Sequence, residues 1–484
     1  MTIDYDLVII GGTLAGRYAA LVATQLKATV ALVESEVNDA FSQQQALGEI
    51  GKIVHNMNDV AGLGIHTRQA DTADKCQVSV TWTEAKLYTQ GVVSNIQEQH
   101  SLANLAALGV DVILGRGQFQ SLPHLAFAVN QRLLRGRTYL LASGSVPALP
   151  EIEGLQTTGY LTLSNIWRSL KQATLPQNWV IIGGVPQSIE VAQTLARLGC
   201  NVTLAVKSAS ILPYADPEIA HLLQAQLEVD GVRVLTQKPV TQVKLIEGKK
   251  WVQVGDKAIE TDEILVATDQ EPNVELLNLA AVGVKWRQQR LVVNKKLQTT
   301  NHRIYACGDV IGGYDFTNVA NYEARIAVKN ALFFPRLRVN YRCIPWVLNS
   351  HPTLAAVGLT EAQAKRQFKS DEVLVLRQYY KSVTAAQLRD ETTGICKLIV
   401  LRNGEILGAS ILGAEAGELI NLIALAMSEK ISVKHLANLS AVYPSFSEII
   451  ENTAREWGKE KLNSNSALQD FLEGFFHFRR DWNL

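Results

Sequence analysis

Twice along the chain, a short apolar run ends in two glycines and leads into a segment with helical periodicity. The first run spans residues 8–12 and the second spans residues 180–184. Such a run is typical of a buried parallel strand, and a glycine turn after it points the free N–H groups of a helix N-terminus at a pyrophosphate. Two such units predict two bound dinucleotides, a pairing that suits a flavoprotein taking hydride from a nicotinamide.

The apolar and polar positions also predict the order of elements. In the first unit they indicate a strand at 6–10, helices at 16–26, 44–63 and 82–108, and a strand at 29–33. The second unit begins at 178, has a strand at 202–206 and closes near 264–269, and a last strand ends at 304–309. Beyond 336, antiparallel strands at 372–376 and 397–401 and helices at 360–368 and 416–427 indicate an α+β domain.

Composition narrows the functional class. The chain has 484 residues, and its 46 basic and 46 acidic side chains cancel, so it lacks the basic surface that nucleic-acid binding needs. The N-terminus enters a strand without a basic or cleavable apolar segment, and no apolar run reaches the roughly 20 residues that span a bilayer. We therefore predict a cytoplasmic protein that binds no nucleic acid.

The cysteines are few and scattered. They are Cys76, Cys200, Cys307, Cys343 and Cys396, and no two share a short motif. This spacing argues against a metal site, a dithiol or a secreted disulfide framework. We predict inert core residues and no metal.

The first glycine turn carries most of a dinucleotide fingerprint. Gly11 makes the tight turn, Gly16 lets helix and strand approach, and Glu34 lies 23 positions after Gly11, near the roughly 20 expected for a ribose-binding acid. Thr13 stands where a bare backbone usually lets the phosphate come close. The match is therefore imperfect at its middle position.

Several later motifs carry a family resemblance. They are Ala142-Ser-Gly144 followed by Pro147, Tyr305-Ala-Cys-Gly-Asp309, Ile344-Pro-Trp-Val, His351-Pro-Thr with Glu361, and residues 414–420. In this order and spacing the chain resembles the pyridine nucleotide-disulfide oxidoreductases, the flavoproteins that include mercuric reductase, dihydrolipoyl dehydrogenase and glutathione reductase. The resemblance spans about residues 4–455.

This resemblance implies an α/β fold with two Rossmann-like dinucleotide-binding domains, one for FAD and one for NAD(P), plus a C-terminal α+β dimerisation domain. The implied segments are 1–150 and 271–336 for the FAD and central domain, 151–270 for NAD(P), 337–457 for dimerisation, and 458–484 for a flexible linker and tail. It implies a homodimer. The implied FAD-binding residues are Gly11, Gly12, Thr13, Gly16, Glu34, Gly117, Ala142, Ser143, Gly144 and Asp309.

The departures from the family concern its disulfide chemistry. Lys52 fits a lysine that follows the second family cysteine by four, which places Gly48 and Gln43 at the two cysteine positions. Near the C-terminus, the family's His-Pro-Thr and Glu become Tyr443-Pro-Ser and Glu448. A phenol with a reference pKa of about 10 is a poor neutral-pH base, whereas an imidazole near 6.5 would serve. We predict that disulfide exchange is lost.

The reductive half of the family's chemistry is expected to survive. Lys52 and Glu190 occupy the positions of a family ion pair beside the flavin and nicotinamide, where a cation favours electron density on the reduced flavin. The alternative is that both side chains face solvent on helix surfaces.

The second glycine turn departs from the dinucleotide fingerprint at two positions. Gly183 and Gly184 are present, but Val185 and Ser188 hold the next two glycine positions, and a branched side chain crowds a pyrophosphate. Nicotinamide binding is therefore either retained, weakly or in a shifted pose, or lost.

The end of the second unit's inner strand bears on the choice of nucleotide. Lys207 and Ser208 follow the strand where an NAD-binding protein would place an acid, so NADPH is favoured over NADH. Lys207 could equally be an ordinary exposed lysine.

The C-terminal tail has an apolar helix face. Leu468, Phe471, Leu472 and Phe475 recur at helical spacing, and Ser466 with Gln469 could form a capping box. Arg479-Arg480 add charge. The face either docks on its own subunit or the dimer partner, or makes peripheral membrane or quinone contact.

Two functions follow from these observations. One is an FAD-dependent NAD(P)H oxidoreductase without a redox disulfide, passing electrons to a quinone or other small acceptor. The other is an FAD-binding protein without turnover that serves as an interaction or structural module.

Overall fold

The computed structural model describes residues 3–34, 39–59, 78–99, 101–170, 172–287, 290–313 and 316–482. The elements up to residue 170 are β1 (Tyr5–Ile10), α1 (Leu14–Gln25), β2 (Val30–Glu34), α2 (Ala40–Asp59), α3 (Trp82–Gln99), α4 (Leu102–Ala107), β3 (Asp111–Leu114), β4 (Gly117–Gln120), β5 (Ala126–Val129), β6 (Arg132–Leu134), β7 (Gly136–Leu141), β8 (Ser145–Pro147), α5 (Leu155–Thr158), β9 (Leu161–Thr162) and α6 (Ile166–Ser169).

The middle of the chain alternates strands with helices. Its elements are β10 (Asn178–Ile182), α7 (Pro186–Arg197), β11 (Asn201–Val206), α8 (Pro217–Val229), β12 (Arg233–Thr236), β13 (Val240–Ile246), β14 (Lys249–Val254), β15 (Lys257–Thr261), β16 (Glu263–Val266), β17 (Gln270–Pro272), β18 (Trp286–Arg287), β19 (Arg290–Leu291), β20 (Ile304–Ala306) and α9 (Thr317–Leu332).

The C-terminal part is an α+β arrangement. Its elements are β21 (Trp346–Leu348), β22 (Thr353–Gly358), α10 (Glu361–Gln367), β23 (Val373–Tyr379), α11 (Thr384–Leu388), β24 (Ile395–Leu401), β25 (Ile406–Gly413), α12 (Ala416–Ser428), α13 (Val433–Leu436), α14 (Glu448–Asn463) and α15 (Ser466–Asp481).

The chain forms two compact units. One contains residues 1–208 and 230–339, and the other contains 209–229 and 340–484. The second unit thus takes in α8, a helix that lies between β11 and β12 in the sequence, which the apolar pattern did not predict.

The first unit contains two parallel sheets, as expected for two dinucleotide-binding domains. One has the strand order β20-β7-β1-β2-β3 and the other β12-β11-β10-β16-β9. The strands at the centre of each sheet are buried on both faces, which explains why they read as continuous apolar runs. Glycine turns follow the central strands β1 and β10, at the carboxyl edge where such folds bind nucleotides.

The two connections between these sheets pair with each other. β8 and β17 form an antiparallel ribbon, with Val146 opposite Glu271. The chain therefore leaves and re-enters the first dinucleotide-binding fold at one place, next to the predicted domain boundary at residue 150.

The second unit is built on the antiparallel sheet β21-β22-β25-β24-β23. Strands β23 and β24 pair antiparallel from Val373 to Tyr379, as predicted for 372–376 and 397–401. The predicted helices at 360–368 and 416–427 correspond to α10 and α12.

Two predicted helices need corrected boundaries. The helix expected at 44–63 begins at Ala40, because the Asp39 carbonyl accepts the first hydrogen bond of the helix, from the Gln43 N–H. Residues 60–63 lie outside the described part. The helix expected at 82–108 is two helices, since Ser101 accepts from the Asn104 N–H and caps a new one.

The predicted linker at 458–466 is mostly helix, because α14 continues to Asn463. The cap of α15 also differs from the prediction: Asn465, not Ser466, accepts from the Leu468 N–H, while Gln469 Nε2 donates back to the Leu462 carbonyl. No helix within the described residues is long and apolar enough to cross a membrane.

Candidate functional site

The first glycine turn brings three backbone segments into close contact. Gly11 has φ +111°, and a Cβ atom there would lie 2.2 Å from the Ala142 carbonyl oxygen. A Cβ atom on Gly16 would lie 2.0 Å from the Gly11 carbonyl oxygen. Both positions therefore require glycine, which accounts for the fingerprint spacing in packing terms.

Thr13 stabilises this turn through two hydrogen bonds of its hydroxyl group. It is the N-cap of α1, and its hydroxyl accepts from the Gly16 N–H at 3.2 Å and donates to the Ala142 carbonyl at 2.9 Å. The side chain thus joins the turn after β1 to the turn after β7. The N–H groups of Leu14 and Ala15 lie in the first helical turn, where a helix makes no internal bond to them, and can face an anion.

Glu34 lies at the end of β2, against the same turn. Its side chain is 1% exposed, and Arg17 Nη2 lies 2.6 Å from Oε1. Oε2 is buried and accepts no hydrogen bond from the protein. An acid at this position with an unpaired oxygen fits a ribose hydroxyl, which can donate to it.

The turn after β7 supplies the other predicted cofactor residues. The Ser143 hydroxyl is buried without a hydrogen-bond partner, and Gly144 has φ +70° and packs on the Thr13 methyl group. Asp309 follows β20, and its carboxylate accepts from the Ser145 hydroxyl at 3.5 Å. The glycine turn, the buried acid and this turn lie at one sheet edge, so the residues present fit FAD.

Gly117 has a packing explanation of its own. It begins β4 in the small sheet β4-β5-β6, and a Cβ atom there would lie 2.5 Å from the Phe127 ring. Its predicted cofactor contact stays a prediction.

Helix α2, which contains the residues predicted to hold the two family cysteine positions, packs on α7. Gln44 Nε2 donates to the Thr194 hydroxyl at 3.1 Å, and Gln45 Nε2 donates to Glu190 Oε2 at 2.9 Å. A Cβ atom on Gly48 would lie 3.7 Å from the Thr194 hydroxyl oxygen. Gln43 instead donates to the Asp39 carboxylate at 2.9 Å.

The predicted ion pair between Lys52 and Glu190 is not formed. Glu190 is 6% exposed, which corrects the alternative that it faces solvent, and it accepts from Gln45. Lys52 is half-buried, and among the described residues no hydrogen bond or ion pair joins it to Glu190. The physical reason is helical geometry: Gln45 precedes Lys52 by seven residues and so lies on the same face of α2, two turns closer to Glu190.

The second glycine turn resembles the first in backbone but not in side chains. Gly183 has φ +136°, and a Cβ atom there would lie 1.8 Å from the Ala267 carbonyl oxygen. Gly184 lies between β10 and α7, and Val185 is the N-cap of α7 without a side-chain hydrogen bond. The Ser188 hydroxyl donates to the Val185 carbonyl at 2.6 Å, so it is turned into the helix.

Lys207 and Ser208 follow β11, next to the turn after β10. Lys207 is exposed, and the Ser208 carbonyl accepts from the Gln237 N–H at 3.1 Å. Asp269 is also exposed. A cation at this strand end stays available to a nucleotide phosphate.

Tyr443 and Glu448 belong to the second unit. Tyr443 precedes a cis proline and is 72% exposed, while Glu448 Oε1 accepts from the Ser445 N–H at 3.0 Å. The carboxylate therefore bonds to the turn that precedes α14, and no hydrogen bond joins it to the phenol among the described atoms.

The described cysteines are poor nucleophiles. Burial raises the pKa of Cys200 to about 11 and that of Cys396 to about 12. Burial also raises the pKa of Cys307 well above its usual value, and that of half-buried Cys343 by less. Cys76 lies outside the described residues. These four are free thiols, in agreement with the core role predicted for them.

Two residues of this site escaped the sequence reasoning. Arg17 directly follows Gly16, and a charged residue at an inward position of the first helix was the available signal. Gln45 was also missed, although it shares a helix face with Lys52.

Comparison with known families agrees with this architecture. Residues 5–324 match the pyridine nucleotide-disulphide oxidoreductase family, and residues 344–454 match the dimerisation domain of the same family. Members are FAD-dependent pyridine nucleotide oxidoreductases, and the dimerisation domain supports a homodimer.

Individual relatives and structures give the same result. The mercuric reductase of Staphylococcus aureus is 33% identical over 474 residues, covering 94% of this chain and 83% of its own length. The dihydrolipoyl dehydrogenase of Synechocystis sp. is 30% identical over 481 residues, covering 93% of this chain and 98% of its own.

Among solved structures, LpdA from Mycobacterium tuberculosis has a TM-score of 0.82 at 23% identity, covering 93% of this chain and 99% of its own. The HOCl-induced flavoprotein disulfide reductase RclA from Escherichia coli has a TM-score of 0.80 at 24% identity, covering 93% of this chain and 99% of its own. These similarities concern the fold. From the family and relative matches, the chain belongs to the pyridine nucleotide-disulphide oxidoreductase family.

Proposed function

We propose that this protein is an FAD-dependent NAD(P)H oxidoreductase that works without a redox disulfide and reduces a quinone or another small acceptor. The observation that carries the proposal is the pair of residues at the family's cysteine positions. Gln43 is bonded to Asp39, and Gly48 packs near Thr194. Neither residue carries a thiol, so this pair of positions cannot form a disulfide.

Remote cysteines do not replace the missing pair. The nearest two in the sequence, Cys307 and Cys343, lie 36 positions apart. Burial raises the pKa of every described thiol, which disfavours the thiolate that disulfide exchange needs. Tyr443 in place of the family histidine removes the base that would activate a thiol.

The residues of the first turn would hold the cofactor. Leu14 and Ala15 would offer N–H groups to the pyrophosphate, Glu34 would offer an oxygen to a ribose hydroxyl, and Asp309 would hold the ribityl chain, as the family resemblance implies. When bound, FAD supplies the centre that accepts hydride from a reduced nicotinamide and gives up electrons to an acceptor. The protein's part is to bind and orient these groups.

For the nucleotide we propose NADPH rather than NADH. Lys207 is an exposed cation at the end of β11, next to the Ser208 hydroxyl, where an acid would repel a 2′-phosphate. Gly183 keeps the close backbone turn of a second dinucleotide site. Val185 has no polar side chain to offer, so we expect weak binding.

The second candidate is an FAD-binding protein without turnover. Ser188 and Val185 disturb the nucleotide fingerprint, and Tyr443 disturbs the family's acid/base site. Such a protein would keep FAD as a structural group and act through its surfaces.

A panel of acceptors separates these functions. The purified dimer is mixed with NADPH or NADH and a water-soluble benzoquinone, glutathione disulfide, lipoamide or mercuric ion. We expect nicotinamide oxidation with the quinone and background rates with the disulfides and mercuric ion, unchanged after alkylation of accessible thiols. Turnover of a disulfide that alkylation abolishes would contradict the proposal, and no oxidation with any acceptor would favour the second candidate.

A further inference from the structure

Arg17 makes an unusual contact inside the cofactor site. Its side chain is 9% exposed, Nη2 lies 2.6 Å from Glu34 Oε1, and Nε donates to the Gly12 carbonyl at 3.1 Å. One guanidinium group therefore bridges the acid at the end of β2 and the turn before α1. These are the two segments between which a dinucleotide ribose lies.

The two carboxylate oxygens of Glu34 differ in their hydrogen-bond partners. Oε1 is held by Arg17, whereas Oε2 is buried and receives no protein donor. A Cβ atom on Gly12 would lie 2.4 Å from Oε2, so this free oxygen lies directly against the glycine turn. Oε2 is therefore the carboxylate oxygen that has no protein donor.

The charges explain why the arrangement needs both partners. Glu34 is 1% exposed, and a carboxylate that is buried without a partner is strongly unfavourable. Arg17 is the residue type suited to this position, because its planar fork can bond to a carboxylate and a carbonyl together. Lysine would keep the charge but not this geometry.

We infer that Arg17 is a positioning residue for the cofactor: it fixes Glu34 and the Gly12 turn before FAD binds, and it leaves Glu34 Oε2 without a protein donor, as the acceptor for a ribose hydroxyl. The inference rests on FAD being the cofactor of the first turn. It concerns the assembly of the site and not electron transfer.

The test measures FAD binding by the FAD-free protein, from the quenching of flavin fluorescence. The variants are Arg17→Met, Arg17→Lys, Glu34→Gln and the double variant. We expect Arg17→Met to weaken FAD binding at least tenfold, because Glu34 loses its partner and moves. Arg17→Lys should recover part of the affinity. The double variant should bind FAD better than Arg17→Met, since it leaves no unpaired buried charge.

Lys250→Met is the matched control, because Lys250 pairs with Glu263 at the same distance of 2.6 Å within the same unit but away from this turn. Its FAD affinity should equal that of the wild type. Equal affinity for Arg17→Met and wild type, or effects of Arg17→Met and Glu34→Gln that simply add, would overturn the inference. If Arg17→Met does not fold, Arg17→Lys takes its place in the same comparison, and an FAD affinity of Arg17→Lys equal to that of the wild type overturns the inference.

Other outcomes separate this inference from the proposed function. Wild-type protein that takes up no FAD would overturn both. Wild-type protein that binds FAD but oxidises neither NADPH nor NADH would overturn the proposed enzyme, while the Arg17 comparison still decides the inference.

Discussion

Gln45 Nε2 donates to Glu190 Oε2 at 2.9 Å, in a position where the family resemblance predicts an ion pair from Lys52. Glu190 is buried on α7, so this hydrogen bond ties α2 to the second dinucleotide-binding fold. The polar contact between the two helices is therefore kept, but a neutral residue makes it.

We expect Gln45→Leu to lower the free energy of unfolding by about 1.5–3 kcal/mol, because it removes a hydrogen bond to a charged group. Gln45→Lys should restore most of the loss by pairing with Glu190. The measurement is denaturant unfolding of the purified protein. Lys52→Gln is the control and should change stability by less than about 0.5 kcal/mol. A larger loss for Lys52→Gln than for Gln45→Leu would mean that the family pair exists in solution.

A second prediction concerns the nucleotide. Lys207→Glu replaces an exposed cation with a like charge for a 2′-phosphate, and charge-assisted contacts are worth about 1.5–3 kcal/mol. We expect the preference for NADPH over NADH, measured as the ratio of flavin reduction rates, to fall roughly tenfold or more. Lys238→Glu is a suitable control, since Lys238 pairs with Asp256 on the surface. Equal rates with both nucleotides in the wild type would show Lys207 to be an ordinary surface lysine.

A third prediction concerns a buried charge cluster in the second unit. Lys397 is 3% exposed and contacts Asp216, Glu218 and Glu361 at 2.8–3.2 Å. Lys397→Met leaves the buried Asp216 carboxylate without its cation, while Lys365 and Arg377 still contact Glu361, so the change should cost about 3–5 kcal/mol at neutral pH. Denaturant unfolding measures the loss.

The pH dependence of this effect has a definite sign. Burial raises the pKa of Glu361, but hydrogen bonds from Lys365 and Lys397 outweigh it and lower the pKa to about 2. A lowered pKa stabilises the folded state above the ordinary value near 4.5, and this stabilisation is lost as the pH falls towards 2. The difference between wild type and Lys397→Met should therefore shrink below pH 4.5. A difference that stays constant over this range would contradict the assignment.

The tail provides a fourth prediction. In α15, Leu468 and Leu472 are half-buried, whereas Phe471 and Phe475 are 64% and 42% exposed. We expect that deleting residues 466–484 lowers the melting temperature or changes the dimer, because the aromatic face docks on protein. Vesicle binding should be weak and reversible, since Arg479 and Arg480 alone provide the basic charge of the segment 466–484. Loss of vesicle co-sedimentation at an unchanged melting temperature would instead assign the tail to a membrane.

The sequence was sufficient for the parts of the fold that depend on local patterns. The apolar strands before Gly11 and Gly183 predict two parallel sheets, and the glycine spacing reflects contacts that no Cβ atom could tolerate. Thr13 shows the limit of such reasoning, because a mismatch to the fingerprint turned out to be a helix cap with two hydrogen bonds.

Pairing between distant residues could not be predicted in the same way. Two such contacts are those of Arg17 with Glu34 and of Gln45 with Glu190. Each depends on the rotation of a helix about its axis, which decides the side chain that lies within hydrogen-bond distance of the acid. The placement of α8 in the second unit depends on tertiary contacts, including that of Lys397 with Asp216. Helix ends shifted for a local reason, since a cap such as Asn465 competes with its neighbour Ser466.

The most direct test is an anaerobic titration of the purified yellow protein with NADPH, following flavin absorbance. A flavin together with a redox disulfide stores four electrons, whereas a flavin alone stores two. We predict that the flavin bleaches completely with one equivalent of NADPH per FAD. Consumption of two equivalents per FAD would reveal a second two-electron centre and contradict the account, as would a flavin that neither NADPH nor NADH can bleach.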